Sequence, residues 1–129
     1  METIIRKMFL SKRATEAESQ SLHDELRMSQ YQSKDQLLAR MNAVDQRLVL
    51  INTWLHILSE DEKYVICRHL VDGIDWPRIN VEYRQRWGEE QGKSERSLKS
   101  YQRKAIQKIV RFVESQKEFL PALTEYCEQ

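Results

Sequence analysis

The chain has 129 residues, of which 40% are apolar and 32% are charged, and its formal net charge is +1. This length accommodates one compact domain, with at most an appended helix. Three glycines and two prolines are too few for the turns of an all-β fold, so the composition favours an all-α protein.

Cysteine usage and hydropathy indicate a soluble protein of a reducing compartment. The two cysteines, Cys67 and Cys127, do not form a disulfide framework. No apolar run approaches the ~20 residues of a membrane helix. Residues 1–18 lack the apolar core and the cleavage site of a signal peptide. We therefore expect a cytoplasmic location.

The first segment, residues 1–32, is polar and only loosely periodic. Its apolar residues at helical spacing are limited to Ile4, Ile5, Met8, Phe9, Leu22 and Leu26. This pattern fits helix, but a polar terminal segment also fits fraying or mobility.

The sequence of residues 33–58 predicts a long helix with an apolar heptad repeat. The spacing alternates between four and three residues, which defines a heptad seam formed by Leu37, Met41, Val44, Leu48, Ile51, Leu55 and Leu58. The first six residues of this seam, Leu37 to Leu55, could form the interface of a parallel homodimer through residues 37–58. In such a dimer, Arg40 could face Asp45 of the partner. The same seam could equally pack on the other helices of its own chain.

Residues 59–116 carry three helix-start signals. Ser59 and Glu62 form a capping box, Asp75 precedes a helix with proline in its first turn, and Ser94 caps the last long helix. Gly73 suits the left-handed position that ends the first of these three helices. An acidic tail, residues 117–129, follows.

The last helix concentrates the positive charge of the protein. Between residues 93 and 111 there is one acid, Glu95, and seven bases: Lys93, Arg96, Lys99, Arg103, Lys104, Lys108 and Arg111. The rest of the chain holds 14 basic and 19 acidic residues, a net of −5. Solvated faces are often charged, but this imbalance indicates contact with a polyanion, most simply duplex DNA.

The two helices of residues 75–113 have the properties of a helix-turn-helix DNA reader. An inward stripe of Leu98, Tyr101, Ala105, Ile109 and Phe112 would hold the second helix on its domain. At about 100° per residue, the opposite side carries Arg96, Lys99, Ser100, Arg103, Lys104, Gln107 and Arg111. Arg96 or Arg103 could bind guanine in a bidentate manner, Ser97 and Ser100 could donate to phosphate, and lysines act as point charges. The amides at Ser94 could also receive a phosphate.

The segments LSEDEKYVICRHLVDGIDWPRINVEY and KSERSLKSYQRKAIQKI resemble the C-terminal DNA-binding region 4 of sigma factors. Within that superfamily the chain is most similar to small phage and prophage transcriptional regulators of the ArpU and RinA type. The resemblance covers about residues 55–113. It implies an all-α fold in which a long N-terminal helix precedes a sigma region 4-like helix-turn-helix domain. It also implies recognition-helix positions at Ser94, Arg96, Ser97, Lys99, Ser100, Arg103 and Lys104, with Arg78 and Arg84 on the supporting helix.

Two departures from the sigma pattern qualify what the resemblance implies. The turn at residues 89–93 is longer than in typical helix-turn-helix proteins and contains two acids. The sequence before residue 55 has no promoter −10 recognition region. These features favour a phage-type regulator that binds double-stranded DNA near a promoter and acts with RNA polymerase, over a complete sigma factor.

Two other classes of function are weaker. A helical protein–protein module could use the heptad seam and the basic helix to bind an acidic partner without DNA contact. An enzyme would need converging polar groups, and His23, His56 and His69 show no metal-ligand spacing. No glycine-rich phosphate loop is present. We therefore expect neither a catalytic site, a metal site nor a cofactor.

Overall fold

The computed structural model describes residues 1–28, 34–88 and 94–116, and within these ranges every regular element is helical. The predicted all-α class is confirmed. In chain order the elements are α1 (Glu2–Leu10), α2 (Lys12–Met28), α3 (Lys34–His56), α4 (Glu60–Ile66), a π-helical segment (Cys67–Val71), α5 (Trp76–Trp87) and α6 (Glu95–Ser115). Among these described helices, none is long and apolar enough to cross a membrane.

The helix starts that the sequence predicts are all formed by side-chain caps. Ser59 Oγ accepts from the Glu62 amide at 3.3 Å, and the Glu62 carboxylate accepts from the Ser59 amide at 2.9 Å, which completes the capping box. Asp75 accepts from the Arg78 amide at the start of α5, and Ser94 accepts from the Ser97 amide at the start of α6. The boundaries of α4, α5 and α6 are thus set locally.

The helix that Ser59 caps changes from α to π geometry before it ends. From Cys67 to Val71 the turns widen to π geometry, a change that no sequence pattern predicted. The segment closes at Gly73, whose φ of +70° confirms the left-handed position expected there. The Ile74 amide then donates to the Arg68 carbonyl at 2.9 Å, so a backbone carbonyl at the end of the segment is satisfied.

The N-terminal segment contributes to the main core. Ile5, Met8 and Phe9 on α1 are buried in the same apolar cluster as residues of α3, the π-helical segment and α6. The Phe9 ring lies 6.0 Å from the ring of Trp54 on α3. Of the two interpretations of residues 1–32, the structure shows helix, over Glu2–Leu10 and Lys12–Met28. Burial of this face stabilises α1, since a nine-residue helix is marginal on its own.

The predicted long helix is α3, and its heptad seam packs within the chain. Val44, Ile51 and Leu55 are buried, whereas Leu37, Met41 and Leu48 are half-buried. Helix α2 lies against α3, and polar contacts fix the pair: Ser19 Oγ donates to Asp45 Oδ1 at 2.7 Å, and Arg40 donates to Glu18 at 3.1 Å. The two side chains expected to meet across a dimer, Arg40 and Asp45, thus have partners in the monomer. Intramolecular packing thus buries Val44, Ile51 and Leu55 of the seam.

Candidate nucleic-acid interface

A second apolar cluster joins α5 and α6 to α4. Its buried members are Val65, Ile79, Tyr83 and Leu98, one or two from each helix. The Tyr83 hydroxyl donates to Asp61 at 3.3 Å, and the Tyr83 and Trp87 rings stack with centroids 4.4 Å apart. Burial, with Asp61 nearby, raises the pKa of Tyr83 to about 12. Helix α5 is therefore held firmly as the support of α6.

An ion-pair network fixes α5 against the π-helical segment. Arg68 Nη2 donates to both Glu82 oxygens at 2.8 Å, and Arg68 Nη1 donates to Asp72 at 3.0 Å. Bidentate arginine–carboxylate pairs define orientation as well as distance. The Glu82 hydrogen bonds raise the pKa of Arg68. This network sets the direction in which α5 leaves the turn at Gly73.

The inward face of α6 is apolar except for one glutamine. Leu98, Ala105, Ile106, Ile109 and Val113 are buried, while Tyr101 and Phe112 of the predicted inward stripe are half-buried. Gln102 is only 4% exposed, although it was not among the residues predicted to face inward. Its position, four residues after Leu98 and four before Ile106, is the signal that would have placed it inward.

His69 supplies the partner of that glutamine. Its Nδ1 lies 2.6 Å from Gln102 Oε1, and its ring stacks on Trp76 with centroids 4.0 Å apart. A buried side-chain amide needs such a partner, since an unsatisfied polar group is costly. His69 thus links the π-helical segment, the first turn of α5 and the middle of α6.

The outward face of α6 presents the predicted DNA-binding side chains to solvent. Ser94, Arg96, Lys99, Arg103, Lys104 and Gln107 are exposed, and Ser97 and Ser100 are half-buried. By helical geometry, Arg96, Ser100, Arg103 and Gln107 fall within about 60° of one another. We call these four residues the central stripe. It extends along about 16 Å of the helix axis.

Most of the cations on α6 have no ion-pair partner among the described residues. Lys99 pairs with Glu95 at 3.1 Å, and Lys108 pairs with Glu62 at 2.7 Å. Arg96, Arg103, Lys104 and Arg111 form no ion pair with any residue that the structure describes. Charges without a fixed partner retain their full attraction for an external anion. The outward face therefore favours a polyanionic ligand.

The two arginines predicted on the supporting helix do not form a single patch. Arg78 and Arg84 are both exposed, but their spacing of six residues sets them about 120° apart around α5. Arg78 Nε lies 3.5 Å from Glu82, so part of its charge is compensated. The predicted long turn at residues 89–93 lies outside the described residues.

The other histidines and Cys67 do not converge on a common site in the described part of the chain. His23 Nε2 lies 3.1 Å from Asp45, and burial raises the pKa of the half-buried Cys67 thiol. His56 is exposed. Within residues 1–28, 34–88 and 94–116, no three histidine, cysteine or acidic side chains are grouped to hold a metal ion.

No protein-family model, curated protein or solved structure matches the chain.

Proposed function

We propose that the protein is a sequence-specific, double-stranded-DNA-binding transcriptional regulator that inserts α6 into the major groove. The observation that carries this proposal is the division of α6 into two faces. One face is held by the apolar core, and the other presents Arg96, Arg103, Lys104 and Arg111 without an ion-pair partner among the described residues. A major groove of about 12 Å admits an α-helix presented in this way.

The central stripe supplies the chemistry for reading bases. Arg96 and Arg103 can each donate two hydrogen bonds to guanine O6 and N7, and Gln107 can bind adenine N6 and N7. The small Ser100 between them allows close approach to the base edges. Both arginines are exposed, so binding does not require an internal contact to break.

Residues beside the stripe are suited to phosphate contact. Lys104 is exposed on one flank, and Lys99 lies on the other, where Glu95 partly neutralises it. The Ser94 hydroxyl caps the start of α6, and the remaining first-turn amides with the positive end of the helix dipole favour an anion there. Such contacts position a protein on the duplex without reading its sequence.

The regulatory role rests on the resemblance to sigma region 4 and to ArpU- and RinA-type regulators. It implies binding near a promoter together with RNA polymerase, in a phage or prophage setting. The support from the structure is the succession of a capped α4, a glycine-ended π-helical segment, α5 and a serine-capped α6 in the order that the resemblance requires.

Selection from random duplexes tests the proposal. The enriched duplex and a scrambled duplex of equal length and composition are then compared at physiological salt. A reader of bases is expected to prefer the enriched duplex by about 10³-fold or more. Equal affinity for both duplexes would contradict sequence-specific binding. No binding to either would leave the helical module that binds an acidic protein as the better account.

A further inference from the structure

A second basic surface lies on α6, beside the central stripe. Lys104, Gln107, Lys108 and Arg111 line an open groove of about 280 Å³, which Glu62 of α4 closes on one side. We call this the α6–α4 groove. Its lining carries three positive charges and one negative charge.

The three cations of the groove lie on a different side of α6 from the central stripe. By helical geometry Lys104, Lys108 and Arg111 lie about 80° around α6 from the central stripe. They extend over about 10 Å along the axis. Arg111 is also about 22 Å from Arg96 along the helix. The groove cations therefore face away from the direction in which the central stripe presents its base-reading side chains.

Glu62 is built into this surface as an internal counter-ion. Its side chain is nearly buried, and its Oε1 accepts from Lys108 Nζ at 2.7 Å and from the Ser59 amide at 2.9 Å. Burial acts to raise the pKa of Glu62, but the hydrogen bonds from Lys108 and Ser59 outweigh burial and leave that pKa below its ordinary value. The carboxylate is thus charged at neutral pH. It forms an ion pair with Lys108, one of the three cations of the groove.

We propose that the α6–α4 groove binds the sugar-phosphate backbone of the duplex, and that Glu62 limits this binding by holding Lys108. The assignment rests on the proposed function, since it takes the same duplex as the ligand of both surfaces. With the central stripe facing the bases, the groove faces the strand that borders them.

The dimensions and charge of the groove fit this ligand. One strand carries a phosphate for about every 3.4 Å of the DNA axis, so a row of cations about 10 Å long can contact more than one phosphate. Each phosphate contact adds about 0.9 to the slope of log K against log salt. By neutralising Lys108, Glu62 lowers the affinity for DNA of every sequence alike. Base contacts then contribute a larger share of the binding free energy.

Three variants separate the roles of these residues: Arg111→Ala, Lys108→Ala and Glu62→Gln. Arg111 and Lys108 are exposed, so their truncation leaves the core intact. Glutamine can replace glutamate in a capping box, so Glu62→Gln removes the charge and keeps the start of α4. Arg27→Ala, at an exposed residue on α2, is the matched control for loss of one positive charge, and circular dichroism checks the helix content of each variant.

Binding of each variant to the enriched and the scrambled duplex is measured over a salt series. Arg111→Ala should remove one phosphate contact. We therefore expect it to weaken binding to both duplexes by the same factor, about fivefold at 0.15 M salt, and to lower the salt slope by about 0.9. Lys108→Ala is expected to act in the same direction by at least as large a factor, because it removes one positive charge and also leaves the Glu62 carboxylate without its cation. Glu62→Gln is expected to tighten binding to the scrambled duplex by up to about fivefold and to raise the salt slope.

The outcomes distinguish this assignment from the proposed function. If the parent protein binds no duplex, both fail. If the parent prefers its enriched duplex while Arg111→Ala and Lys108→Ala bind like the parent, only the groove assignment fails, and an acidic protein becomes its better ligand. A loss of affinity for the enriched duplex alone would show that these residues contact bases rather than phosphates. Unchanged binding of Glu62→Gln to the scrambled duplex would overturn the role of Glu62.

Discussion

His69 Nδ1 lies 2.6 Å from Oε1 of Gln102, although 33 residues separate them in the chain. The contact places a polar pair inside an otherwise apolar junction between the π-helical segment and α6. Because Trp76 stacks on the same imidazole ring, the first turn of α5 is tied to this pair as well. The His69–Gln102 hydrogen bond therefore contributes to the orientation of the proposed recognition helix.

Truncation of Gln102 is expected to destabilise the fold. Gln102→Ala removes the partner of His69 and leaves a small cavity, so we expect the free energy of unfolding to fall by about 1–3 kcal/mol. Gln107→Ala, at an exposed glutamine of the same helix, is the matched control and should stay within about 0.5 kcal/mol of the parent. Urea denaturation measures both. Equal stability of the two variants would contradict a structural role for the His69–Gln102 contact.

Asp72 should make stability depend on acid pH. The hydrogen bond from Arg13, followed by that from Arg68, lowers the pKa of Asp72 below its ordinary value of about 3.8. A carboxylate with a lowered folded pKa stabilises the protein above its unfolded pKa, and this contribution is lost as the pH falls through the folded value. Asp72→Asn removes the titrating group.

We expect the free energy of unfolding of Asp72→Asn to fall less steeply below about pH 4 than that of the parent. Its stability at neutral pH should be lower, because Arg13 and Arg68 lose their common carboxylate. Thermal unfolding at a series of pH values measures both effects. Parallel pH curves for the two proteins would show that Asp72 titrates alike in the folded and unfolded chains.

Gly73 is expected to be sensitive to substitution for its backbone alone. Its φ is +70°, and a Cβ added there would meet no atom within 4 Å. Gly73→Ala should therefore cost about 1–2 kcal/mol, the penalty of the left-handed conformation. Gly73→Asn should cost less, since asparagine tolerates that region better. Equal costs in chemical denaturation would point to a steric rather than a conformational cause.

The heptad seam leads to a prediction about oligomeric state. Val44, Ile51 and Leu55 are buried within the chain, and Arg40 and Asp45 have intramolecular partners. We therefore expect sedimentation equilibrium at tens of micromolar to give the monomer mass of 15.5 kDa. A dimer mass that Leu37→Asp and Met41→Asp return to monomer would instead support self-association through residues 37–58.

Sequence reasoning predicted the features of this protein that depend on neighbouring residues. The caps at Ser59, Asp75 and Ser94 follow from side chains three residues from the amides they bind, and the faces of α6 follow from helical periodicity. Features that depend on distant residues could not be predicted. The core role of α1 requires knowledge of Trp54 as a partner, and the Glu62–Lys108 pair spans 46 residues.

The change to π geometry at Cys67 had no recognisable signal in the sequence, since residues 60–71 read equally well as one α-helix. In the site itself, periodicity correctly placed the exposed side chains of α6. It gave no information on which of their charges are already neutralised, because the ion pair between Lys108 and Glu62 joins different helices. Charge availability is thus a property of the tertiary structure.

The most direct test of DNA reading by α6 compares Arg103→Ala with Lys104→Ala on the enriched and scrambled duplexes. The two exposed cations are adjacent, but only Arg103 belongs to the central stripe. We expect Arg103→Ala to weaken the enriched duplex by about 1–3 kcal/mol and to reduce its preference over the scrambled one. Lys104→Ala should weaken both duplexes alike and lower the salt slope by about 0.9. If both variants bind the enriched duplex as the parent does, α6 is not the recognition helix.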